Sequence, residues 1–309
     1  MSAMVFPGMS PAGFAEVGRF MLADPIAREL IAEADEFLGY SLADRFRDTE
    51  GDYSEYAQLS FFVNCLALAR WAERELGVLP RWCAGPSFGE IPAVVYAGAL
   101  SFTDGLKLTE RRARCLDAYF AGEHTDVVTR SFARTPEPGL REALGELTAR
   151  GQWCEISCYV DDDMFMVSLR EKNVEWLDGR IRSLGGLPLY TMRPPLHASV
   201  FAGLRDRAEK EVLAGLDFRD PVLPVVADQD GAVLTTAGEL RTMLLDSYVR
   251  PLRWPAVVAT LRDRGVGTVC VAGVDSLFGR IGVTKANFEV IAANPRRALR
   301  PRRRGAPVP

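Results

Sequence analysis

Trp82-Cys83-Ala84-Gly85-Pro86-Ser87-Phe88-Gly89-Glu90-Ile91-Pro92-Ala93-Val94-Val95 is the stretch on which the reading of this chain turns. An apolar strand, Trp82–Ala84, is cut off by Gly85, and an apolar helix follows over Glu90–Ala99. Between them Ser87 stands in G-x-S-x-G. The glycines allow a sharp turn and close backbone approach, so a serine at the centre is held exposed above a parallel sheet. The helix that starts there aims its N-terminal dipole and the Phe88 N–H at the place where an oxyanion would form. Five residues alone occur by chance, and a plain turn is the competing reading; the flanking strand and helix favour a nucleophile.

Outward from the turn, Met4–Phe6 is a short strand ended by Pro7-Gly8. Helical spacing follows in Phe14, Val17, Phe20 and Met21, in Ile26, Leu30, Ile31 and Ala34, and in Leu66 to Leu76. Leu106–Phe120 reads as a helix with a charged outer side. Downstream, Leu223–Ala227 and Thr268–Ala272 read as strands, and Ala237–Ser247 and Trp254–Arg264 as helices. Strands alternating with helices predict a mostly parallel α/β sheet covered on both faces. Between the halves the order changes to strand Val127–Ala133, helix Gly139–Arg150, strands Cys154–Val160 and Met164–Arg170, helix Val174–Leu184 and strand Leu187–Met192. That βαββαβ order is the ferredoxin-like unit. The expected organisation is a large unit over 1–123 and 193–295, an inserted small unit over 124–192, and a disordered basic tail over 296–309. A cleft between the units should follow.

The serine needs a base, and 309 residues contain only two histidines. His197 follows the last strand of the insertion, where the chain re-enters the large unit, and is the candidate; His124 reads as loop or hinge. Two histidines leave little room for a metal site, and none is expected. A net charge of −4 argues against a protein built to hold nucleic acid. The longest uncharged runs, Leu59–Ala69 and Ile91–Thr103, are too short to span a bilayer. No basic residue precedes Arg19, so no secretory signal is expected. Six scattered cysteines without C-x-x-C read as reduced, mostly buried thiols of a cytoplasmic protein, with Cys154 and Cys158 on one face of a strand.

From Val5 to about Val290 the chain resembles malonyl-CoA:acyl-carrier-protein transacylases and polyketide synthase acyltransferase domains. Phe6-Pro7-Gly8 is similar to that family's opening F-P-G-Q-G, and Gln58 to its glutamine upstream of the serine. Gly85-Pro86-Ser87-Phe88-Gly89-Glu90 stands where the family has G-H-S-x-G-E. Arg112, in Leu108-Thr109-Glu110-Arg111-Arg112, falls at its carboxylate-binding arginine, and His197 at its catalytic histidine. Arg250-Pro251-Leu252-Arg253-Trp254 resembles its P-V-x-W segment. The resemblance implies an α/β-hydrolase-like large unit with an inserted ferredoxin-like one. It also implies an acyl-Ser87 intermediate with His197 as base and then acid, and oxyanion donors on the N–H groups of Phe88 and Met9. A backbone carbonyl, expected from Asp228, would orient the histidine. No cofactor would be bound permanently; phosphopantetheine of an acyl carrier protein, or CoA, would be the substrate arm, and donor and acceptor carriers the partners.

The departures bear on cargo. Met9 and Ser10 replace the family's glutamine and glycine, Pro86 its histidine, and Pro194-Pro195-Leu196 fills the segment before His197. These changes favour an acyl unit other than malonyl, and the chain most resembles stand-alone acyltransferases of macrolactam polyketide pathways, which move aminoacyl or dipeptidyl starters between carriers. Arg112 argues for malonyl-CoA:carrier transfer instead, because a guanidinium can hold a carboxylate bidentately; Arg111 next to it leaves open which of the two faces inward. Editing hydrolysis of an acyl carrier is a third reading. Only four of the 37 basic residues are lysines, and among the arginines Arg134, Arg280 and Arg250 are the candidates for gripping an acidic carrier. A lipase-type hydrolase would need a glycine-rich oxyanion loop and a triad acid that the chain does not offer; a non-catalytic carrier scaffold would have no use for Ser87 and His197.

Overall fold

A computed structural model describes residues 1–51 and 53–300. Among them run eleven strands: β1 (Ser2–Val5), β2 (Pro80–Ala84), β3 (Val127–Ala133), β4 (Cys154–Asp161), β5 (Met164–Arg170), β6 (Leu187–Met192), β7 (Val225–Val226), β8 (Val233–Leu234), β9 (Leu252–Arg253), β10 (Thr268–Ala272) and β11 (Glu289–Ala293). The larger sheet has the order β11-β10-β1-β2-β7-β8, parallel except for the β7–β8 hairpin. Ala3, Met4 and Val5 are wholly buried, as a strand covered on both faces must be. One face carries Met4, Phe6 and Cys270 under the long helix Glu55–Leu76; the other carries Ala3, Val5 and Val271 under the helix Trp254–Asp263. This is an α/β fold with a large, mostly parallel sheet and a smaller antiparallel-rich subdomain.

The smaller sheet has the order β6-β3-β5-β4-β9. Its first four strands and the helices Glu137–Ala149 and Val174–Ser183 follow the βαββαβ succession, around a core of Phe132, Leu140, Phe165 and Ile181. The fifth strand is unforeseen: β9, from the far C-terminal part of the chain, pairs in parallel with β4. Two residues carry no periodicity, so β9 left no signal. The sheet thus recruits Leu252–Arg253 from outside the 124–192 segment, and the Arg253 guanidinium lies 4.2 Å from the Tyr159 ring centre.

Two expectations need correction. Cys154 and Cys158 do not share a face, because the β4–β5 register slips between Ile156 and Cys158. One extra residue moves every later side chain to the opposite side; Cys154 packs on the small-unit core, and Cys158 enters the core between the sheets. All six cysteines are free, and all but Cys154 are buried. The first residues of the predicted tail are ordered. Pro295–Ala298 is a short helix whose start is capped by Asn294, leaving 301–309 outside the described residues.

Candidate active site

Loops leaving the carboxyl ends of β1, β2, β7 and β10 meet at one edge of the larger sheet, the usual location of ligands in open parallel sheets. They bring Met9, Ser87 and Ser276–Phe278 to a cleft of about 1190 Å³ roofed by β3, β6 and the segment 193–197, with Asp228 buried behind Ser87. Ser87 begins a helical turn at φ 55°, in the left-handed region. The glycines on either side cannot be replaced: a Cβ on Gly85 would lie 2.0 Å from the Gly89 carbonyl oxygen, and one on Gly89 would lie 2.1 Å from that of Phe6. The two glycines let the elbow fold against itself and against the end of β1.

Ser87 Oγ and His197 Nε2 are 2.8 Å apart. His197 is itself left-handed, at φ 63°, and its N–H donates to the Tyr248 carbonyl at 3.1 Å. Both members of the pair therefore sit in backbone conformations that cost a non-glycine residue about 1–2 kcal/mol. Burial, and the Arg112 charge beside it, push the imidazole down to about 4, so it is neutral and able to accept a proton around pH 7. The expected orienting group is corrected. The Asp228 carbonyl accepts the Arg253 N–H at 2.7 Å, and the backbone group that meets the ring comes from Ser247 instead. The Ser247 carbonyl is the acceptor beside Nδ1, which makes no well-formed hydrogen bond and meets no carboxylate.

Asp228 acts at the other side of the serine, where its Oδ2 accepts the Ser87 N–H at 2.6 Å. Its partner in burial is Glu90, whose carboxyl also takes a hydrogen bond from Gln229 Nε2 at 2.7 Å. Burial first, and the neighbouring Asp228 charge second, raise Glu90 well above the carboxylate range, so Glu90 holds the proton and Asp228 the charge. Neither role showed in the sequence, which displayed two acids far apart but not their contact.

Of the remaining candidates, Gln58, Phe88, Arg112, Leu196 and Met9 all border the cleft. The ambiguity between neighbouring arginines resolves: Arg111 reaches outward to the Ala214 carbonyl at 2.8 Å, whereas Arg112 donates to Gln58 Oε1 at 3.1 Å. Gln58 is fixed in turn by donating to the Tyr53 carbonyl at 2.8 Å. The Arg112 guanidinium lies 5.4 Å from the Phe88 ring centre, also bonds Tyr248, and forms no ion pair among the described residues. His124 is a loop residue, as read, but borders the cleft mouth with its ring against Phe201. Arg134 and Arg280 are exposed and away from the cleft lining. Arg250, the third candidate, is also exposed and pairs with Asp230 at 2.8 Å and Asp246 at 3.3 Å. Among the described residues no group of histidines, cysteines and acids could hold a metal, and no helix is long and apolar enough to cross a membrane.

The chain is 27% identical over 303 residues to the malonyl-CoA:acyl-carrier-protein transacylase of Escherichia coli (strain K12), covering 94% of both. To that of Bacillus subtilis (strain 168) it is 26% identical over 281 residues, 88% of this chain and 86% of the relative. The chain is similar over most of its length to malonyl-CoA:acyl-carrier-protein transacylases. A solved malonyl-transacylase in complex with its type II polyketide synthase acyl-carrier protein superposes with a TM-score of 0.83. It is 24% identical, over 94% of this chain and 95% of that one, and shares the fold. Residues 131–192 match the family described as the VinK acyltransferase small domain.

Proposed function

We propose that this protein carries an acyl group between phosphopantetheine thiols of acyl carrier proteins by way of an ester on Ser87. The observation that carries the reading is the 2.8 Å contact of Ser87 Oγ with a neutral His197 at the floor of the cleft. Ser87 Oγ attacks the donor thioester carbonyl while its proton passes to His197 Nε2. The tetrahedral oxyanion lies toward the N–H groups of Phe88 and Met9; the Ser87 N–H is occupied by Asp228 and does not contribute. Collapse expels the donor thiolate, which takes the proton from His197. The acceptor thiol then yields its proton to His197, attacks the acyl-Ser87 ester, and Ser87 recovers its proton on release. No bound cofactor or metal enters these steps, which belong to a cytoplasmic enzyme.

We assign the cargo to an aminoacyl or dipeptidyl starter. A cleft of about 1190 Å³ exceeds the roughly 300–1,000 Å³ usual for drug-sized ligands. Its lining includes Met9, Phe88, Pro194, Pro195, Leu196 and Phe278. The match to the VinK small domain supports the same reading. Malonyl-CoA is the second reading, favoured by Arg112 without an acidic partner. For the carrier, Arg134 and Arg280 are the docking candidates. Thr135 donates to the Asp163 carbonyl and Val283 to the Asp161 carboxylate, so both arginines flank the β4–β5 turn on one side of the molecule.

Intact-mass spectrometry with a dipeptidyl-loaded carrier and malonyl-CoA in competition tests this. The dipeptidyl adduct should appear on wild type and be lost in Ser87→Ala. A malonyl adduct that vanishes in Arg112→Ala would establish the second reading; free acid without transfer would make the chain an editing hydrolase.

A further inference from the structure

His197 occupies a left-handed backbone position in a loop that needs holding from both sides. The larger unit supplies one anchor, the Tyr248 carbonyl accepting the His197 N–H at 3.1 Å. The second comes from the smaller sheet. Glu155, on β4, accepts the Ser199 N–H through Oε2 at 2.8 Å, and through Oε1 takes the Ser199 hydroxyl and the Trp153 indole N–H, the latter at 3.0 Å. Ser199 opens the helical turn Ser199–Phe201 that continues into the helix Ala202–Glu211. N–H groups at a helix start lack intrahelical partners, and an anionic acceptor is favoured there. This helix has no side-chain cap of its own, so an acid from the other sheet serves in its place.

We propose that Glu155 is a positioning residue that ties the His197 loop to the smaller sheet and sets the aim of the imidazole at Ser87. This rests on the Ser87–His197 reading above. Glu155 does not border the cleft, so it acts on the reaction only through the loop. Its consequence is a mechanical link: β4 pairs on one side with β5 and on the other with β9, so a load on that sheet reaches His197 through one carboxylate.

The test uses the full chain and a fluorophosphonate probe, whose reaction with Ser87 requires a correctly placed base. Glu155→Ala should slow labelling roughly tenfold or more, since misplacement by about an ångström has effects of that order, and carrier KM should stay unchanged. Glu155→Gln, which keeps an acceptor for the Ser199 N–H, should recover most of the rate. Ser199→Ala, removing only the hydroxyl contact, should slow labelling less and add nothing to Glu155→Ala. Labelling of Glu155→Ala at the wild-type rate overturns the proposal, as does a Gln variant no better than the Ala variant. If Glu155→Ala fails to fold, the Ser199→Ala and Glu155→Gln rates decide: Ser199→Ala must be slower than wild type at unchanged KM, and an unchanged rate overturns the proposal. Failure of wild type to label would instead refute the Ser87–His197 reading.

Discussion

The Asp228 carboxylate holds the Ser87 N–H at 2.6 Å from behind, while Ser87 Oγ faces His197 in front. Ser87 is therefore pinned by its backbone as well as by its hydroxyl, which suits a residue kept at φ 55°. Removing the acceptor leaves a buried amide unpaired, at a cost of about 1–3 kcal/mol. Asp228→Ala should lower the melting temperature and reduce Ser87 acylation at least tenfold. Asp228→Asn, which retains an acceptor for the amide, should lose far less of both. Thermal melts beside single-turnover acylation check the pair.

Glu90 offers a prediction with a definite sign. Its carboxyl is raised by burial and by Asp228, so the folded protein keeps a proton that the unfolded chain releases near the ordinary carboxylate range. Stability supplied by that proton is fully present below the unfolded pKa and declines as pH rises toward the folded one. Glu90→Gln keeps a hydrogen-bond donor to Asp228 without an ionisable proton. Urea midpoints measured from pH 5 to 9 should fall with pH in wild type more steeply than in Glu90→Gln.

His197 has the opposite direction. Its folded pKa, about 4, is below the ordinary imidazole value of 6.5. Its contribution to stability is present above 6.5 and lost as pH falls toward 4. Acylation of Ser87 should hold its rate through mildly acid pH and fall toward pH 4. Part of the depression comes from Arg112, so Arg112→Ala should move that acid limb upward. A pH–rate profile of acylation for both proteins reads the shift directly.

The proposed carrier surface is separable by charge. Arg134→Glu and Arg280→Glu should each raise carrier KM several-fold and flatten its salt dependence, because exposed charges act mainly on encounter. Arg250→Glu should instead destabilise the fold, since it would set a third carboxylate against Asp230 and Asp246. Carrier-dependent turnover across a salt series, with melting temperatures alongside, distinguishes the two outcomes.

The chain order of the elements, the elbow and the choice between two histidines were legible in the sequence, because each leaves a local trace. Apolar period marks strands and helices, and glycines mark a turn in which a Cβ would strike backbone at about 2 Å. β9 was not legible, being two residues long and marked as a strand only by its pairing with β4. Nor was the slip in β4 that separates Cys154 from Cys158, because a bulge is decided by the partner strand.

By itself, then, the sequence determined the alternation that makes the parallel sheet, the βαββαβ insertion, and Ser87 and His197 as the residues to look for together, which lie 2.8 Å apart. Tertiary structure alone decided which groups support that pair: Asp228 by its carboxylate rather than its carbonyl, Glu90 as holder of a proton, Ser247 beside the imidazole, Arg112 rather than Arg111 facing inward, and Glu155 reaching across from the other sheet. The physical reason is range. Propensity and periodicity act over a few neighbours, whereas the protonation and hydrogen bonding of a buried polar group depend on groups that arrive from anywhere in the chain.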